Sequence, residues 1–296
     1  MMRFVKKLAI TLALPFLAVS TTHATEIVVG GKNFTEQQIL TEITSQYLTI
    51  KGFDVEKRSG MGSTVLRKAQ ENGQIDLYWE YTGTSLLTYN KFKGKLTTPS
   101  EVYEKVKELD AKKGLVWLNA SAANNTYALA MRKDHAESLG IQSLSDLSKA
   151  INDGTELTFA VNAEFYARDD GFKPMQKVYG FKMDRKDIKR MDTGLTYTAL
   201  KEKQVDFSLV FATDGRIQAF NFITLADDKN YFPSYALTPV IRAEVLAANP
   251  ELEDLLNRLS LIINDSTMRD LNARVDVLHM PIEQTAKDFL IGAGIQ

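Results

Sequence analysis

The chain has 296 residues, with 36 Lys and Arg against 37 Asp and Glu, a formal net charge of −1, and no cysteine. That balance lacks the basic footprint needed to displace counterions from nucleic acid, so nucleic-acid binding is not expected. The missing cysteines exclude a disulfide framework and a lipid-acceptor thiol, leaving stability to a hydrophobic core that a chain of this length can build.

The first 24 residues read as a secretory leader. Arg3, Lys6 and Lys7 form a basic start, Leu8 to Val19 an apolar run broken by Pro15, and Thr22-His23-Ala24 a small-residue cleavage site. The run is shorter than the roughly 20 residues of a membrane span. Cleavage removes the three basic residues and takes the net charge from −1 to −4. A soluble mature chain starting near Thr25, in the periplasm of a Gram-negative bacterium, is the expectation.

Glu26 to Gly30 reads as a strand buried on both faces, followed by a helix that Thr35 caps, with Ile39, Leu40, Ile43 and Tyr47 at helical spacing. A strand at Phe53 to Lys57, a helix at Thr64 to Glu71 and a strand at Leu77 to Glu80 complete a βαβαβ half with a mainly parallel sheet. A helix at Ser100 to Lys113 and a strand at Val116 to Leu118 lead to a crossing near Asn124-Asn125-Thr126. Beyond it come a strand from Tyr127, a helix from Leu144, strand Leu157 to Val161, a helix to Tyr179 and strand Ile223 to Ala226. A return crossing runs through Tyr231 to Tyr235, and from Pro239 onward the pattern reads as helical. The expected architecture is α/β, with a first lobe of 25–126 plus 236–296 around a second lobe of 127–235.

The division rests on an internal echo. Gly73-Gln74-Ile75-Asp76-Leu77-Tyr78-Trp79-Glu80-Tyr81 returns as Lys203-Gln204-Val205-Asp206-Phe207-Ser208-Leu209-Val210-Phe211, 130 residues later. Each copy puts an aromatic at the C-terminal edge of a strand, where open α/β sheets hold ligands. Tyr127 and Tyr235 stand at the crossings, and Thr84, Thr213 and Asn125 are polar neighbours. Core packing is the competing explanation for any one of these aromatics. Convergence of the four would suit a cation without hydrogen-bond donors.

Enzyme chemistry is poorly supplied. His135 and His279 have no metal-ligand spacing, and neither a nucleophile elbow nor a phosphate loop is present, so no catalytic residue, metal or cofactor is expected. Gly30-Gly31-Lys32 is consistent with anion binding at a helix start or with a tight turn and solvated lysine. Arg168 reads as a bidentate clamp for a ligand carboxylate or as a surface salt bridge with Asp169 or Asp170.

Gly31-Lys32-Asn33-Phe34-Thr35-Glu36-Gln37, Asp76 to Thr84, Asn125 to Leu129 and Ala212-Thr213-Asp214-Gly215-Arg216-Ile217 resemble the substrate-binding proteins of osmoprotectant ABC transporters, over essentially the whole mature chain. The resemblance implies a type II periplasmic-binding-protein fold of two lobes closing on a quaternary amine such as glycine betaine, carnitine or choline. It places Tyr81, Tyr127, Phe211 and Tyr235 as the aromatic cage, with Asn125 beside it; Thr213, a polar neighbour of Phe211, is a further ligand-binding candidate. Lys32, Thr84 and Arg168 take the positions that hold a ligand carboxylate, which favours a zwitterion over choline. Phe211 departs from the tyrosine common there. A membrane permease is the implied partner of a monomeric protein. Rival readings are another solute (choline, ergothioneine, an amino acid), a sensory module, or a periplasmic enzyme on the same scaffold.

Overall fold

The structure, a computed structural model, describes residues 26–94, 96 and 98–295; the leader lies outside the described residues. Five strands form a first sheet: β1 (Ile27–Lys32), β2 (Val55–Met61), β3 (Leu77–Tyr81), β4 (Leu115–Trp117) and β10 (Leu237–Arg242), ordered β2-β1-β3-β10-β4. The second holds β5 (Tyr127–Arg132), β6 (Phe159–Val161), β7 (Ile188–Arg190), β8 (Phe207–Phe211) and β9 (Phe222–Thr224), ordered β7-β6-β8-β5-β9. In each sheet three neighbouring strands are parallel, and the strand that follows a crossing, β10 or β5, runs antiparallel beside them. Helices cover both sheets, which is why β3 and β6 are buried at every position rather than on alternate ones.

The echo repeats backbone engineering. The Asp76 carboxylate accepts the Val28 N–H at 2.8 Å, and Asp206 accepts the Thr158 N–H at 2.7 Å, tying equivalent strands together in both sheets. The helices before them, Ser63–Glu71 and Thr193–Lys201, end alike, with Gln74 N–H on the Ala69 carbonyl and Gln204 N–H on the Ala199 carbonyl. That Schellman closure needs a left-handed residue. Gly73 supplies it at φ 76° in one copy and Lys203 at φ 59° in the other.

Between the sheets the two connecting segments zip together. Asn124 and Ala236 form an antiparallel bridge, Asn125 N–H donates to the Tyr235 carbonyl at 3.2 Å, and Leu237 N–H donates to the Ala123 carbonyl at 2.9 Å. The two sheets are joined by these two short extended segments.

Three expectations change. Residues 237–242 are a strand between β3 and β4, not helix. Pro239 reads as a breaker, yet its carbonyl still takes the Leu118 N–H at 3.1 Å, and burial of Leu237, Val240 and Ile241 outweighs the lost donor. Helices resume only at Ala243, the last three being Glu251–Ile262, Asp265–Asp276 and Ile282–Gly292. Thr35 does not cap the Thr35–Ile50 helix: Phe34 occupies the cap position, and the Thr35 hydroxyl donates to Asp276 at 2.8 Å. β7 escaped sequence reading because it is three partly exposed residues in a charged segment.

Candidate functional site

A cleft of about 550 Å³ opens between the C-terminal edges of the two sheets, within the range of small-molecule sites. Eight of the nine residues singled out from sequence line it: Lys32, Tyr81, Thr84, Asn125, Tyr127, Phe211, Thr213 and Tyr235. Pairing across strands explains the convergence. Tyr127 stands opposite Phe211 where β5 meets β8, and Tyr81 opposite Leu237 where β3 meets β10. The hinge then brings Tyr235 edge-on to Tyr127, with ring centroids 5.4 Å apart at 85°. Tyr127 lies 5.1 Å from Phe211.

Gly83 makes room for this arrangement. A Cβ there would fall 2.7 Å from the Tyr235 ring and 2.9 Å from the Ser234 carbonyl, so the turn after β3 reaches the hinge only with glycine. Burial pushes the phenols of Tyr81, Tyr127 and Tyr235 above their ordinary value, which keeps all three neutral.

Sequence reading missed a fifth ring. Phe34 stacks on Phe211 at 5.6 Å and 8° and on Tyr81 at 6.3 Å and 25°, linking aromatics from the two sheets. It also missed Glu36, in the first turn of the helix that follows. One oxygen accepts from the Tyr81 hydroxyl and from Asn125 Nδ2, both at 2.7 Å. The other accepts from the Thr213 hydroxyl and, at 3.2 Å, from Asn272 Nδ2. Burial raises the Glu36 carboxyl above the usual range; its donors Thr213, Tyr81, Asn272 and Asn125 pull the other way. Phe34 and Glu36 sit inside the Gly31–Gln37 motif, so their signal was present. Asn272 carried none. Gln37 completes the support by donating to the Tyr81 hydroxyl at 3.1 Å and to the Trp79 carbonyl at 2.9 Å.

The two basic residues are committed elsewhere. Lys32 Nζ is paired with the fully buried Glu80 at 2.6 Å, and lies 4.9 Å from the centre of the Tyr81 ring. Glu80 also accepts from the hydroxyls of Tyr78 and Tyr89, at 2.8 and 2.9 Å. Arg168 does not line the cleft. Its guanidinium stacks behind Tyr127 at 5.5 Å, held by Asp170 and, at 3.3 Å, by Glu164. Burial opposes the Arg168 charge, but Tyr127, Tyr235 and Asp170 carry its pKa above the ordinary value. The salt-bridge reading of Arg168 therefore describes its partner, although the pair is buried rather than superficial.

Polar groups of another kind face the same space. Gly62 and Ser63 begin one helix, Asp192, Thr193 and Gly194 the equivalent one, and neither start has a side-chain cap. No side chain therefore caps the first N–H groups of either helix, although the Leu195 N–H bonds the Asp192 carbonyl at 2.9 Å. Among the described residues, no group of three or more His, Cys, Asp or Glu could hold a metal ion, and no helix is long and apolar enough to cross a membrane.

Two mixed α/β units with the same strand order, a hinge of extended segments and an aromatic cleft between them define a type II periplasmic-binding-protein fold. The family described as the substrate-binding domain of the ABC-type glycine betaine transport system matches residues 25–292, and the chain belongs to it. It is 46% identical to a glycine-betaine-binding protein of Pseudomonas aeruginosa, over 98% of this chain and 94% of that one. Among solved structures, apo YehZ of Escherichia coli is 32% identical, with a TM-score of 0.67 over 92% of this chain and 99% of that chain. A structure titled glycine betaine/carnitine/choline ABC transporter is 27% identical, with a TM-score of 0.74 over 90% of this chain and 98% of that one. Members of this family are transport components rather than enzymes; they work outside the cytoplasm and deliver solute to a membrane permease.

Proposed function

We propose that this protein captures glycine betaine or a closely similar zwitterionic quaternary amine in the periplasm and delivers it to the permease of an ABC importer, without catalysis and as a monomer. The observation that carries the reading is the convergence of Tyr81, Tyr127, Phe211 and Tyr235, drawn from both sheets and the hinge, on one cleft. A quaternary ammonium donates no hydrogen bond, so it is selected by ring faces and fit. Each desolvated cation–π contact contributes up to about 2 kcal/mol. A ligand that touches both lobes, 25–126 plus 236–296 and 127–235, binds the closed arrangement better and thereby drives closure.

With Lys32 and Arg168 already paired, the ligand carboxylate is assigned to Thr84 and to the uncapped starts of the Ser63–Glu71 and Thr193–Lys201 helices, where free N–H groups favour an anion. The relatives named for glycine betaine support the cationic end of this reading. The test is a thermal-shift screen of the mature protein against glycine betaine, carnitine, choline, ergothioneine and amino acids, followed by calorimetry on the hits. Dose-dependent stabilisation by glycine betaine is expected. A response confined to amino acids would refute the assignment.

A further inference from the structure

Glu36 is a buried carboxylate with no cation among its partners. It is 3% exposed and lines the cleft, and its four hydrogen-bond donors, Tyr81, Asn125, Thr213 and Asn272, are all neutral. Among the described residues no ion pair reaches it. The charged groups on the surrounding elements are engaged with one another: Lys32 with Glu80, and Arg216 with Asp214 and, at 3.1 Å, with Asp276. Asp276 also accepts from Thr35 and feels the nearby His279. Neutral donors orient a carboxylate, but they leave its net charge in place, and an uncompensated buried charge is costly.

The site of that charge is the back of the aromatic cluster. Tyr81 holds one Glu36 oxygen with its hydroxyl while its ring stacks on Phe34, and Phe34 stacks on Phe211. Asn125 and Thr213, which hold the carboxylate, lie two residues from the rings of Tyr127 and Phe211 along the chain. We propose that Glu36 is the counter-ion of the ligand's cationic group, so that the protein selects positive charge and not merely the shape of a trimethyl head. The proposal rests on the quaternary-amine reading above. It also orients a zwitterion, with its ammonium towards Glu36 and its carboxylate away from it. Because Thr213 comes from the second lobe and Tyr81 from the first, the carboxylate is fully held only when the lobes are together.

The experiment compares glycine betaine with 3,3-dimethylbutanoate, which replaces the nitrogen by carbon and keeps shape and carboxylate while removing the positive charge. Affinities are measured by calorimetry, with competition for the weaker ligand, on the wild type, Glu36→Gln and Glu36→Asp. The wild type should prefer glycine betaine. Glu36→Gln should reduce that preference by more than about tenfold, the scale of a unit-charge interaction in a partly desolvated site. Glu36→Asp, which keeps the charge, should retain most of it. A loss of equal factor for both ligands in Glu36→Gln, or no loss, would overturn the proposal and make Glu36 structural. A wild type that binds no quaternary amine would instead refute the functional reading. Should Glu36→Gln melt below the assay temperature, the wild type decides with a pair that does not itself titrate: choline affinity must rise relative to its uncharged carbon isostere 3,3-dimethylbutanol as pH rises through the carboxyl titration, and a flat ratio overturns the proposal.

Discussion

The two sheets share one blueprint and fill it with different chemistry. Offset by 130 residues, Asp76 and Asp206 clasp equivalent strands, and the Ser63–Glu71 and Thr193–Lys201 helices have the same length and the same closure. The inward groups diverge. Lys32, Arg67 and Glu80 of the first unit correspond by that offset to Asn162, Tyr197 and Val210 of the second. The first unit thus buries charge pairs, Lys32 with Glu80 and Arg67 with Asp110, where the second buries an amide, a phenol and an aliphatic chain. The aspartate that accepts a strand N–H recurs in both copies, since it satisfies a backbone donor at the same place in each. Backbone geometry does not constrain what fills the space behind the strand, provided charges are paired and polar atoms bonded.

The largest expected effect breaks the charged side of that comparison. Asp110 accepts two bonds from Arg67, at 2.8 and 2.6 Å, plus others from Ser85, Trp117 and Asn90. Asp110→Ala strands the Arg67 guanidinium in the interior and should cost about 3–5 kcal/mol of unfolding free energy in denaturant titrations. In the second unit, Tyr197→Phe removes the hydroxyl that accepts the Phe211 N–H at 2.8 Å and should cost only about 1 kcal/mol. Equal costs would show that the buried pair is no more critical than the phenol that bonds the Phe211 N–H and the Asp214 carboxylate.

Next in size are the effects on ligand. Tyr127→Ala, measured by calorimetry, should weaken glycine betaine by more than about tenfold, as a desolvated ring face is lost. Arg168→Ala acts on the cleft through the cage rings, directly behind Tyr127 and by way of Asp170 on the Tyr235 hydroxyl, since its guanidinium is taken by Asp170 and Glu164. It should therefore weaken glycine betaine and choline by similar factors and lower the melting temperature. A much larger loss for glycine betaine would restore Arg168 as the carboxylate clamp.

A third test is pH. Burial holds the folded Glu36 carboxyl above its ordinary 4.5, so the protonated form contributes stability that is fully present below that value and is lost as pH rises through the folded value. Asp276 is displaced in the same direction, by burial against the pull of Arg216. Melting curves of the ligand-free protein should therefore show stability falling across that window, and Glu36→Gln should flatten part of the slope but not all of it. An unchanged slope in the variant would assign the whole effect to Asp276.

The smallest effect sharpens the shared blueprint. Lys203 carries a side chain at φ 59° where its counterpart is Gly73 at φ 76°. Lys203→Gly should stabilise the protein by up to about 1 kcal/mol, and Gly73→Ala should destabilise it by at least as much. At Gly73 a Cβ would also stand 3.0 Å from the Arg242 guanidinium. Opposite signs in thermal melts are the expected signature of a repeated turn filled well once and poorly once.

Much of the architecture is local information, and the amino-acid sequence by itself determined it. Strand–helix alternation, the 130-residue echo and the aromatics at two strand ends depend on periodicity and on residues a few positions apart. Position within the repeat was enough to put Tyr81 and Phe211 at equivalent edges, and a turn that only glycine fits explains the Thr82-Gly83-Thr84 signature. The tertiary structure alone decided which charges are free. Lys32 is claimed by Glu80 across 48 residues, and Glu36 is held by Asn272 across 236, distances at which no local pattern carries a signal. It also decided that Pro239 lies in a strand, because burial between β3 and β4 supplies more than one missing N–H removes. Periodicity specifies which face of an element is apolar, whereas the pairing of buried charges depends on what the remainder of the chain packs against that face.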